Sequence, residues 1–142
     1  MAEETVGSVD PEIKFDTKVV NNQIEVTVID GGKVDTYIFR IPSVREMTRL
    51  GVRERDLRML DSANMNGSSE GIDIVTEYLY RALALFEILL EKTSDTRLFS
   101  EEKDGKPIID SAKFGADINP ALLIGVQQGF EQALSSFRKN RA

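Results

Sequence analysis

The chain has 142 residues, 41% of them hydrophobic and 30% charged, with a formal net charge of −6. That length and balance suit one soluble globular domain that buries a core without metals or disulfides. With no cysteine and no histidine, the chain excludes disulfides, thiolate chemistry and the commonest general base and transition-metal ligand.

The opening MAEETVGSVDPE is acidic. It lacks a basic region followed by an apolar one, so it does not read as a signal peptide. Residues 1–11 read as a flexible acidic tail, and 12–142 as a single α+β domain. From 12 to 41 the hydrophobic period is two: EIKFDTKVV, QIEVTVI and VDTYIFRI are rich in β-branched and aromatic residues. Asn21–Asn22 and Asp30–Gly31–Gly32–Lys33 supply turns, because Asn and Gly tolerate positive φ. We expect an antiparallel β-meander of three strands, or a hairpin plus an edge strand. Ile24, Val26 and Val28 should share one face, matched by Tyr37, Phe39 and Ile41. So small a sheet needs helices against it.

Pro42 ends the sheet, and the helical part is expected over 43–139. Ser43–Val44–Arg45–Glu46 has the form of a capping box, in which the hydroxyl and the carboxylate each satisfy the other's backbone N–H. Gly51 should weaken this helix or split it in two. Residues 61–71, DSANMNGSSEG, read as a loop. A helix over about 72–92 follows, with Val75, Tyr78, Leu79, Ala82, Leu83, Phe86, Leu89 and Leu90 at helical spacing. Ser68 or Ser69 could cap it, and Asp73 complements its dipole. Residues 93–118 read as a loop, with Leu98, Phe99, Ile108, Ile109 and Phe114 packing it on the domain. Asn119–Pro120 starts a last helix to about 139, with Leu123, Val126, Phe130, Leu134 and Phe137 on one face.

The least ordinary stretch is FRIPSVREMTRLGVRERDLRMLD at 39–61, with arginines at 40, 45, 49, 53, 55 and 58. These six are a third of all basic residues, in an acidic chain. Across 40–58 they outnumber Glu46, Glu54 and Asp56 by three, whereas residues 1–35 carry eight acids against three lysines. Arg45, Arg49, Arg53, Arg55 and Arg58 are candidate partner-binding residues, since arginine suits protein interfaces. The competing reading is a solvated helix face. Nucleic acid is disfavoured, because no aromatic residue interleaves the arginines. The charge asymmetry also suggests head-to-tail self-association.

No constellation points to catalysis, a cofactor or a metal. SANMNGSSEGID places Ser62, Asn64, Asn66 and Asp73 where a calcium loop needs ligands, but lacks its first Asp and last Glu. Glu77 and Glu87 read as surface glutamates. No S-x-x-K pairing activates a serine, and Asp30–Lys33 has the wrong spacing for a phosphate loop. No apolar run reaches the roughly 20 residues of a membrane span.

The FRIPS turn at 39–43, the GVRERDLR run at 51–58 and, more loosely, the long apolar-faced helix together resemble the tail assembly chaperones of long-tailed bacteriophages. The resemblance implies a non-enzymatic protein of the host cytoplasm. It would bind the helical tape-measure protein, help recruit tail-tube subunits, self-associate, and leave before the virion is complete. The alternative is a structural virion component: a neck, completion or tail-terminator protein.

Overall fold

The structure is a computed structural model that describes residues 13–64, 74–98, 101–103, 106–115 and 117–141. The expected tail at 1–11, the caps at Ser68, Ser69 and Asp73, the calcium-like position Asn66, and Phe99 lie outside them.

Three strands form the expected meander: β1 Lys14–Val20, β2 Gln23–Asp30 and β3 Lys33–Arg40. Both connections are two-residue turns, with φ of 52° and 62° at Asn21 and Asn22 and 59° and 90° at Gly31 and Gly32. Paired positive φ values twist the turn to match its strands. The register places Ile24 opposite Phe39 and Val26 opposite Tyr37, and these side chains are buried together with Val28. The chain then enters α1, Val44–Asn64. The Glu46 N–H donates to Ser43 Oγ and the Ser43 N–H donates to Glu46 Oε1, both at 3.2 Å. That is the capping box read from the sequence.

Two expectations need correction. α1 runs unbroken through Gly51, one of its two expected forms, but it extends over 61–64, the start of the expected loop. The second helix, α2 Ile74–Leu89, ends earlier than its apolar pattern suggests, and Leu90–Thr93 becomes β4. This strand adds antiparallel to β3, with a register shift between Ile38 and Phe39. Among the described residues the sheet therefore has four strands in the order β1-β2-β3-β4. Arg40 secures the junction: its guanidinium donates to Ile88 O at 2.8 Å and to Glu46 at 2.6 Å, and sits 3.4 Å from Glu91. It thus satisfies a carbonyl that the helix end leaves unpaired.

Residues 93–118 also carry structure of their own. A 3-10 turn at Thr96–Leu98, a hairpin of β5 Glu101–Lys103 and β6 Lys106–Ile108, and a second 3-10 turn at Ser111–Lys113 follow one another. Leu98 is buried, and Ile109 and Phe114 pack against the core. The last helix, α3 Pro120–Arg141, starts at Asn119, whose Oδ1 accepts from the Ala121 N–H at 3.0 Å. Leu123, Val126, Phe130 and Leu134 are buried as expected, and Phe137 is half-buried.

One contiguous core joins the sheet to α2 and α3. Phe39 meets Phe86 and Phe130 edge to face, at 5.5 and 5.2 Å. α2 also buries Tyr80, Ala84 and Leu85, outside its expected stripe, because it lies between neighbours on several sides. α3 crosses β1 closely: a Cβ at Gly125 would collide with the Phe15 ring, and one at Gly129 would come 3.2 Å from Thr17 Cγ2.

Candidate functional site

α1 packs on α2, and α2 on α3. The first and last helices instead face one another across a groove of ≈ 460 Å³. Its apolar lining comes from Met47 and Leu50 on α1, Ala84 and Leu85 on α2, and Phe130 and Leu134 on α3. Pro42 closes the end where the chain leaves the sheet, and Gly51 sits in the α1 wall. A Cβ at Gly51 would meet nothing within 4 Å, so this glycine leaves open space that any side chain would fill.

The rim is charged. Arg81 reaches Glu54 at 3.4 Å and Glu131 at 3.9 Å, linking the α1 and α3 walls, and stacks over Tyr78 at 5.5 Å. At the other end Arg138 donates to Met47 Sδ at 2.9 Å. Gln127 lines the groove and is 1% exposed; its amide donates to Glu131, but its Oε1 has no hydrogen-bond partner among the described residues. A buried amide oxygen without a partner is costly.

The five candidate arginines share α1 but divide into two sets. Arg53 donates to Glu87 through Nε at 2.5 Å and Nη2 at 3.3 Å. Glu87 also accepts the Ser111 N–H at 2.9 Å, so it ties α1, α2 and the second 3-10 turn together. Burial pushes the Glu87 carboxyl up, but Arg53 and Ser111 outweigh it and hold it below the usual carboxylate range. The surface reading of Glu87 is therefore overturned. Arg58 bonds Glu54 at 3.2 Å, pairs with Glu77, and lies over the Tyr80 ring at 6.0 Å. Arg53 and Arg58 thus fasten α1 to α2. Arg45, Arg49 and Arg55 are exposed and form no ion pair with a described residue. At helical spacing they lie on the outer side of α1 with Val44, Val52 and Met59, which are also exposed.

Sequence reasoning singled out the arginines and missed the groove. Phe130 and Leu134 have helical spacing consistent with a core, Ala84 and Leu85 lie outside the expected stripe of α2, and only the packing shows that α1 stands off α3.

No helix among the described residues is long and apolar enough to cross a membrane. No known family model matches the chain, and no curated protein or solved structure is detectably similar to it. The fold and groove define the chain as an α+β protein in which α1, α2 and α3 frame an apolar cleft with a charged rim.

Proposed function

We propose that the chain is a non-enzymatic tail assembly chaperone of a long-tailed bacteriophage. It holds an amphipathic helix of the tape-measure protein in the α1–α2–α3 groove, and helps recruit tail-tube subunits around it. The groove carries this reading. An apolar floor bounded by Glu54, Arg81, Glu131 and Arg138 suits a helix that buries one face and keeps its flanks charged. The α3 wall from Gln127 to Arg138 spans about three helical turns. That length admits apolar anchors at i, i+3 or i+4, and i+7. Arg45, Arg49 and Arg55 form a separate exposed basic face, which we assign to acidic surface on a second partner.

The FRIPS and GVRERDLR residues that carry the family resemblance build this site. Phe39 anchors the sheet to α2 and α3, Pro42 and Ser43 launch α1, and Gly51 and Glu54 line the groove.

Co-expression tests the proposal. A helical tape-measure fragment that is insoluble alone should stay soluble with the wild-type chain and precipitate with a Gly51→Leu variant, whose side chain occupies the groove. A fragment that stays insoluble beside the wild-type chain contradicts the proposal.

A further inference from the structure

Among the described residues, no strand or loop pairs with the outer edge of β1, whose backbone pairs only with β2. The turn at Asn21–Asn22 closes on Val20 and Gln23, so Lys18, Asp16 and Lys14 share ladder hydrogen bonds with Glu25, Thr27 and Ile29. The N–H and C=O groups of Phe15, Thr17 and Val19 therefore point away from the sheet. Strand edges are normally blunted by a proline, a bulge, a short length or charged side chains, lysine above all; β1 carries Lys14, Asp16 and Lys18, charges of both signs that can pair with a second copy as well as repel it. β1 is seven residues long with no proline, and its register with β2 is unbroken. Phe15, Val19 and Val20 are 38%, 41% and 43% exposed along it.

We propose that this edge pairs antiparallel with β1 of a second copy, about a two-fold axis through Thr17, joining the sheets of the two copies into one. The strand KFDTKVV is complementary to itself in that register. Thr17 faces Thr17 of the other copy, and Phe15 faces Val19, so the outward backbone groups of all three residues are satisfied. On the opposite face Asp16 meets Lys18 twice, once on each side of the axis. Moving the register by two residues keeps the backbone phase but sets Asp16 against Asp16, or Lys18 against Lys18, and forms fewer hydrogen bonds. Like charges directly opposite are destabilising, so the charges select one register. The interface is closed and isologous, unlike the head-to-tail contact that the charge asymmetry suggested. It involves neither the groove nor the exposed arginines, so it does not depend on what the groove binds.

Charge-reversed variants test the register. Light scattering on a sizing column should give the wild-type chain twice its 15.9 kDa mass. Asp16→Lys alone and Lys18→Asp alone should each lose the dimer while keeping the wild-type circular dichroism. Mixed in equal amounts they should regain it, because both charge pairs are then attractive. A wild-type chain that is monomeric at high concentration overturns the proposal. So does a dimer that survives in both single variants, which would place the interface elsewhere. A dimer that forms only after residues 2–12 are removed also overturns it, because the edge would then belong to the chain's own N-terminal segment. If a single variant fails to fold, the double variant Asp16→Lys/Lys18→Asp restores both pairs and must dimerise for the proposal to stand.

Discussion

Tyr37 donates a 2.7 Å hydrogen bond from its hydroxyl to Asp95 Oδ2, joining the middle of β3 to the loop after β4. Asp95 is 1% exposed. Its carboxylate also receives Arg97 Nε at 2.9 Å, Arg97 Nη2 at 2.8 Å and the Arg97 backbone N–H at 3.1 Å. A buried carboxylate is tolerated only when it is paired and its lone pairs are satisfied. Removing Arg97 leaves it uncompensated. Arg97→Ala should cost about 3 kcal/mol in urea unfolding, and Tyr37→Phe about 1.5 kcal/mol.

The same carboxylate gives stability a pH dependence. Burial raises the Asp95 pKa, but Arg97 and Tyr37 outweigh it, and the net shift is downward. A depressed folded value means the unfolded chain takes up the proton first. The contribution is therefore complete above the ordinary Asp value of about 3.9 and is lost as pH falls below it. Glu87 and Glu46 are shifted in the same direction and add to the acid sensitivity. The stability gap between wild type and Asp95→Asn, measured by urea unfolding, should be widest near neutrality and narrow below pH ~4.

The two sets of α1 arginines should separate in unfolding experiments. Arg53→Ala breaks the half-buried pair with Glu87 and should cost about 2 kcal/mol. The triple variant Arg45→Ser/Arg49→Ser/Arg55→Ser touches only exposed side chains and should change stability by less than about 1 kcal/mol. Loss of partner binding in the triple variant would then report on the exposed face itself.

Glycines on two helices should respond in opposite directions to the same substitution. Gly51→Ala meets open space and should stabilise α1 by about 0.5–1 kcal/mol. Gly125→Ala drives a methyl into the Phe15 ring and should destabilise by about 1–3 kcal/mol. Thermal unfolding of both variants beside wild type checks the pair.

The elements legible in the sequence were those specified locally. The turns at Asn21–Asn22 and Gly31–Gly32, the capping box at Ser43 and the cap at Asn119 depend on residues a few positions apart. β4 was not legible, because Leu90 continues the apolar pattern of α2 and no glycine or proline stands between the helix and the strand. It is a strand because Phe39, Ile38 and Tyr37 pair with it from about 50 residues away. The continuity of α1 through Gly51 was hidden in the same way, since Arg53 reaches across to Glu87 on another helix. The arginine cluster was visible as a charge run. Its division into fastening and exposed members depends on α2, and so does the groove.

The central claim is that the groove between α1 and α3 holds an amphipathic helix. Calorimetric titration of a helical tape-measure peptide into the chain at two or more temperatures tests it directly. Wild type should bind with a negative heat-capacity change, as burial of apolar surface requires, and Gly51→Leu should abolish binding while its thermal stability is retained. Binding of equal strength to wild type and Gly51→Leu, or no binding to wild type, would contradict the account.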